Sequence, residues 1–203
     1  QFGAAVAGIG DFDGDGIDDF IIGAPSSGSQ TLSGSAVILL GNSIRESSTI
    51  AQDGGKIIIG GASAGAQFGY SVAAAGDVNG DGLQDVIIGM PGNDTTTGGA
   101  VVLFGRPSPS ATINTNTMTD GFAIHGGGGM GLTGRSVVGI GDVNGDGLSD
   151  LAVGAPGENR VYIIYGKTDS TAIDLGTLLT TGPNAEGAII ETSVASALGW
   201  NVA

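Results

Sequence analysis

Short runs of Val, Ile, Leu and Ala, bounded by Gly, Pro or Asp, recur along the whole chain. In the middle third they fall at residues 70–75, 85–89, 100–104 and 122–125. The first third matches with 4–9, 20–23, 36–40 and 56–60, and the last third with 135–140, 151–154, 160–165 and 188–191. Runs of this length, rich in β-branched residues and closed by turn formers, predict strands. No stretch sustains a 3.6-residue apolar period over about 11 positions, so helix is expected to be nearly absent.

The runs are ordered by a repeat. Gln1-Phe2-Gly3, Gln67-Phe68-Gly69 and Leu132-Thr133-Gly134 each precede an apolar run, an acidic loop of pattern D-x-[D/N]-x-D-G-x-x-D, a second run, and then Gly23-Ala24-Pro25, Gly89-Met90-Pro91 or Gly154-Ala155-Pro156. The loops begin at Asp11, Asp77 and Asp142, spacings of 66 and 65 residues. A fourth copy opens at Leu198-Gly199-Trp200 and runs only to Ala203. Four short strands per repeat, with a turn between each, describe a β-propeller blade. The expected fold is therefore all-β: three blades of four antiparallel strands at residues 1–66, 67–131 and 132–196, and the first strand of a fourth at 197–203. Such a partial propeller leaves open edges, where further blades or other chains are expected to pair. The stretch is expected to be a segment of a longer protein.

Composition narrows the chemistry. Glycine supplies 41 of 203 residues and aromatics only 5%, so tight turns are many and the core must be aliphatic. Cysteine is absent, which removes disulfides, thiolate metal sites and Cys nucleophiles. Six basic residues face 20 acidic ones, a net charge of −14. No basic surface exists to track phosphates, so nucleic acid is not an expected partner. No apolar run approaches the ~20 residues a bilayer span needs, so membrane insertion is not expected either.

Ten of the 20 acids are candidate ligands in the three loops. Side chains at loop positions 1, 3, 5 and 9, with the carbonyl at position 7, can converge on one point. The candidate ligands are Asp11, Asp13, Asp15, Ile17 and Asp19 in the first loop; Asp77, Asn79, Asp81, Leu83 and Asp85 in the second; and Asp142, Asn144, Asp146, Leu148 and Asp150 in the third. Ile17, Leu83 and Leu148 would act through their carbonyls. Gly16, Gly82 and Gly147 at position 6 permit the sharp turn. An all-oxygen set of five or more ligands suits Ca²⁺ better than Mg²⁺, which retains its waters. One Ca²⁺ per loop is expected, bound tightest by the first loop with its four carboxylates. An EF-hand would need Glu at position 12 and a following helix; Ile22, Ile88 and Val153 stand there, ahead of strand patterns.

Phe-Gly, an Asp-rich loop and Gly-Ala-Pro in this order resemble the FG-GAP repeat of integrin alpha-subunit β-propellers, over essentially the whole chain. The third copy departs at Thr133 and the fourth at Leu198. The resemblance implies a blade with its calcium loop between first and second strands, in rings usually of seven blades, or roughly 450 residues. It also implies a non-enzymatic adhesion or binding scaffold, secreted or at the cell surface, meeting an extracellular protein or glycan ligand. Millimolar extracellular calcium suits loop sites of ~10⁻⁴–10⁻³ M affinity. A carbohydrate-binding, lectin-like propeller and an accessory domain of a larger secreted enzyme are the alternatives.

Other features point to less. Gly61-Ala62-Ser63-Ala64-Gly65 fits G-x-S-x-G, but leads into another strand instead of the helix a nucleophile elbow requires. His125, the only histidine, reads as an exposed strand end. Arg135 reads as sequence drift near the ring axis and Trp200 as ordinary packing. Asn93-Asp94-Thr95 is a glycosylation sequon. The polar inserts 26–35, 93–98 and 107–120 read as surface loops. No catalytic constellation emerges.

Overall fold

The structure is a computed structural model that describes residues 2–25, 33–44, 56–60, 65–92, 97–109, 112–128, 132–182, 185–192 and 198–203. Three successive sheets form. The first contains β1 (Ala5–Gly10), β2 (Asp19–Ala24), β3 (Ser35–Leu39) and β4 (Lys56–Gly60). The second contains β5 (Ser71–Gly76), β6 (Asp85–Met90), β7 (Gly99–Leu103) and β9 (Gly121–His125), and the third β10 (Val137–Gly141), β11 (Asp150–Ala155), β12 (Arg160–Ile164) and β14 (Gly187–Glu191). Within each sheet these four strands pair antiparallel with their sequence neighbours. Helix is confined to α1 (Gly41–Ile44) and a 3-10 turn at Pro156–Glu158 among the described residues. The chain is an all-β partial propeller, as the apolar runs predict.

The sheets stack face to face. Ile21, Ile38, Ile59, Phe68, Ile88 and Leu103 fill the space between the first and second. Ile87, Val102, Phe122, Val153 and Tyr162 fill that between the second and third. β6 therefore buries Val86 and Ile88 toward one neighbour and Ile87 toward the other. That is why its sequence shows an unbroken apolar run and no alternation.

The two glycine signatures of the repeat meet across each sheet boundary. A Cβ on Gly23 would stand 2.0 Å from the carbonyl oxygen of Gly69, one on Gly89 2.0 Å from that of Gly134, and one on Gly154 2.1 Å from that of Gly199. Ser71 and Ser136 donate hydroxyl hydrogen bonds to the Gly134 and Gly199 carbonyls, both at 2.9 Å. Backbone thus packs on backbone where any side chain would intervene.

Two features depart from the sequence reading. The insert at 107–120 contains a strand, β8 (Thr112–Asn114), which pairs parallel with β4 as a fifth member of the first sheet. β13 (Ile173–Asp174) does the same beside β9 in the second. Residues 198–203 form no strand. Gly199 adopts the same turn as its counterparts, with φ +88°. The G-x-S-x-G stretch at 61–64, the sequon at 93–95 and most of the insert 26–35 lie outside the described residues.

Candidate metal centre

Each acidic loop joins the first strand of a sheet to the second. The register of the pair shifts just before it, between Gly8 and Gly10, Ala74 and Gly76, and Gly139 and Gly141. This bulge turns the chain out of the sheet. Inside the loop both glycines are left-handed: Gly14 and Gly16 at φ +76° and +85°, Gly80 and Gly82 at +79° and +89°, Gly145 and Gly147 at +80° and +94°. An L-residue with a Cβ would strain there.

The position-1 carboxylate organises the turn. Asp11 accepts hydrogen bonds from the amides of Gly14 at 2.8 Å, Asp15 at 3.0 Å and Gly16 at 2.9 Å. Asp77 accepts from Gly80, Asp81 and Gly82 at 2.7, 3.1 and 2.9 Å, and Asp142 from Gly145, Asp146 and Gly147 at the same three distances. Position 5 repeats the device, its Oδ1 accepting from the position-7 amide at 2.8–2.9 Å: Ile17 to Asp15, Leu83 to Asp81 and Leu148 to Asp146.

The position-9 aspartates stand apart. Asp19, Asp85 and Asp150 are 2%, 0% and 0% exposed, although the loops around them face solvent. Asp85 accepts from the amides of Val78 at 2.7 Å and Gly105 at 2.8 Å. Asp19 takes Phe12 and Gly41 at 2.9 and 2.8 Å, and Asp150 takes Val143 and Gly166, both at 2.8 Å. Each buried carboxylate ties the second loop residue to the residue beyond the third strand. Burial opposes the charge of Asp85, which is pushed up to about 7 against the pull of its two amides. Asp19 is raised for the same reason. Asp13 is raised by burial first and then by repulsion from Asp15.

In the first loop one carboxylate oxygen from each of Asp11, Asp13 and Asp15 lies within 4.8 Å of the others. Oxygens ligating one Ca²⁺ at about 2.3–2.6 Å can be at most ~5 Å apart, so these three fit a single ion. In the second and third loops an Asn takes the middle place. Asn79 Oδ1 accepts from the Asp81 amide at 3.0 Å while its Nδ2 donates to Asp81 Oδ2 at 2.9 Å. Asn144 and Asp146 repeat both contacts at 2.9 and 2.8 Å. In the first loop, where Asp13 holds this place, Asn42 supplies the equivalent contact, its Nδ2 donating to Asp15 Oδ2 at 2.5 Å. The structure brings positions 1, 3 and 5 together and places position 9 in the sheet beneath them.

Position 2 escaped the sequence reading. Phe12 and Val78 are fully buried, each plugging the boundary to the following sheet, whereas Val143, against which no further sheet packs among the described residues, is 57% exposed. Arg135 and Trp200 also differ from expectation. The Arg135 guanidinium carbon stands 5.2 Å from the Tyr70 ring centre and 3.8 Å from that of Trp200. Tyr70, Arg135 and Trp200 each follow the Phe-Gly-type turn of successive units, a signal visible in the sequence once those turns are superposed. His125 is exposed at its strand end, as read.

A repeated four-stranded sheet with an aspartate loop between its first two strands defines a class of propeller-forming repeat. The FG-GAP repeat model matches residues 2–39, 68–104 and 133–175, and the chain belongs to the FG-GAP repeat family. Integrin alpha-PS5 of Drosophila melanogaster is 31% identical over 164 residues, 75% of this chain and 15% of its own length. Integrin alpha-6 of Homo sapiens is 32% identical over 159 residues, 74% and 12%, and Integrin alpha-V of Gallus gallus 34% over 167 residues, 77% and 14%. The chain thus spans about an eighth to a seventh of the length of these relatives. No helix among the described residues is long and apolar enough to cross a membrane.

Proposed function

We propose that this chain is a calcium-stiffened, non-enzymatic propeller segment of integrin-alpha type, used outside the cell or at its surface as a scaffold for contact with a protein or glycan ligand. Its units are residues 1–66, 67–131 and 132–196, with a fourth beginning at 197. One Ca²⁺ sits in each loop, held by Asp11, Asp13, Asp15, Asp19 and the Ile17 carbonyl; by Asp77, Asn79, Asp81, Asp85 and the Leu83 carbonyl; and by Asp142, Asn144, Asp146, Asp150 and the Leu148 carbonyl. The observation that carries this reading is the convergence of Asp11, Asp13 and Asp15, on a loop skeleton that recurs hydrogen bond for hydrogen bond in the other two units. Three carboxylates with oxygens within 4.8 Å of one another repel unless a cation joins them. The buried aspartate below supplies further negative charge. Extracellular placement rests on the calcium available there and on the likeness to integrin alpha subunits.

Calorimetric titration of the metal-stripped chain tests the reading, with three ions per chain expected. Calcium at ten times its dissociation constant adds about 1.4 kcal/mol per site, or ~4 kcal/mol for three. For a chain of this size that raises the melting temperature by roughly 10 °C, and chelation reverses the rise. A melt indifferent to both chelator and calcium would sink the proposal.

A further inference from the structure

We propose that the outer edge of β14 is a docking strand for one short parallel segment of the pattern Thr-Ile-Asn, supplied by the connection between the third and fourth strands of a further FG-GAP unit. The other two sheets of this chain show the mode of binding. β8 lies beside β4 with Ile113 opposite Ile59 and Asn114 opposite Gly60. β13 lies beside β9 with Ile173 opposite Ile124 and Asp174 opposite His125. Both donors come from the unit after the sheet they join. Their isoleucines are buried, Ile113 at 5% and Ile173 at 2% exposure, against receptors Ile59 and Ile124 at 0%.

Both donors end in the same way. The Thr115 amide donates to the Gly60 carbonyl at 2.8 Å and the Leu175 amide to the His125 carbonyl at 3.0 Å. Asn114 Oδ1 then accepts from the Asn116 amide at 3.0 Å, and Asp174 Oδ1 from the Gly176 amide at 2.8 Å. The Thr117 and Thr177 amides close back onto the carbonyls of residues 114 and 174 at 3.1 and 3.0 Å. The donor is therefore a self-capping element, Ile-[Asn/Asp]-x-x-Thr, that adds itself to a waiting edge by main-chain pairing.

β14 is the waiting edge. Register through the third strands makes Ile190 the counterpart of Ile59 and Ile124: Ile190 pairs with Val161, as Ile59 pairs with Ala36 and Ile124 with Ala100. Among the described residues no fifth strand joins this sheet, and Ile190 is 51% exposed where its counterparts are sealed. The next receptor position selects between donors. His125 meets Asp174 in the second sheet, whereas β14 offers Glu191 there, a carboxylate that faces Arg160 at 3.0 Å. A donor Asp opposite Glu191 would set like charges side by side, so the Asn form fits and the Asp form does not.

The test appends a copy of residues 112–118 after Ala203 through a flexible Gly/Ser linker, which holds the donor near millimolar effective concentration. Amide hydrogen exchange is then read at residues 187–191 in calcium buffer. Protection is expected to rise at least ~10-fold at β14, to fall back when the copied Ile113→Asp or the host Ile190→Asp change is made, and to be at least several-fold weaker for the copied Asn114→Asp. No added protection at β14, or equal protection from all four arms, would overturn the proposal. Calcium stoichiometry scores the loop reading and β14 protection scores this one, so either can fail alone.

Discussion

Removing metal from this chain should turn its stability against pH upside down relative to an ordinary acidic protein. Asp85 is fully buried, and its folded-state pKa is pushed up to about 7 from an ordinary value of 3.8. The folded state therefore holds this proton more tightly than the unfolded chain does. Between pH 4 and 7 the native state binds more protons, and stability falls as pH rises. The shift corresponds to about 4 kcal/mol once pH exceeds 7, a large share of the 5–15 kcal/mol that holds a domain together. Asp19 and Asp13 are displaced in the same direction. Asp169, held down to about 2 by Lys167 and Thr171, acts oppositely but only below this window. Urea unfolding of metal-stripped chain at pH 5 and pH 7.5 measures the effect, with the lower pH expected to be the more stable by a few kcal/mol. Saturating calcium competes with the proton and should abolish the difference. Metal-free stability that is flat or rising across this range would refute the argument that burial strains the Asp85 and Asp19 carboxylates.

Four further outcomes follow from the packing and the loops. Gly89→Ala drives a methyl to 2.0 Å from the Gly134 carbonyl; parting the two units should cost about 1–3 kcal/mol in a thermal melt. Gly60→Ala, which meets nothing within 4 Å, should be neutral or slightly stabilising. Thr133→Val removes a buried hydroxyl that has no hydrogen-bond partner, and the melting temperature should rise by the few degrees that about 1 kcal/mol supplies. Asp13→Asn converts the first loop to the pattern of the other two. Its calcium affinity should drop roughly 10-fold toward theirs, so that a titration that resolves two classes of site in the parent resolves one in the variant.

How much of this was legible depended on whether the signal was local. The twelve antiparallel strands of the three sheets fall within one or two residues of the apolar runs, because each is bounded by turn chemistry its own neighbourhood supplies. The loop skeleton was legible for the same reason, since every contact from Asp11 to Gly16 spans five residues or fewer. β8 and β13 were not. They are three and two residues long, too short to read as strand runs, and formed only because an edge some 50 residues away accepts them. Exposure was equally hidden. Phe2 and Phe68 hold the same place in the repeat, yet one is 64% exposed and the other 0%, because Phe68 enters the core it shares with the first sheet. Arg135 looked like drift because its partners, Tyr70 and Trp200, are each 65 residues away.

The non-local contacts also change what the loops do. The Asp11 carbonyl accepts from the Gln84 amide of the second loop at 3.3 Å, and the Phe12 carbonyl from Arg106, beyond the second sheet's third strand, at 2.9 Å. The pattern recurs one unit on, where the Asp77 and Val78 carbonyls accept from Ser149 and Lys167 at 2.8 and 2.9 Å. Residues 1 and 2 of every loop with a successor are thus bonded to the next unit, while the position-9 aspartate of the same loop grips the amide of residue 2. The side chain of residue 2 meanwhile fills the core between the sheets. An ion drawing positions 1, 3 and 5 together therefore acts on the joint between two sheets as much as on the loop itself. In a sheet stack held largely by aliphatic contact, which resists separation better than sliding, these are among the directional bonds that set the angle of one blade to the next.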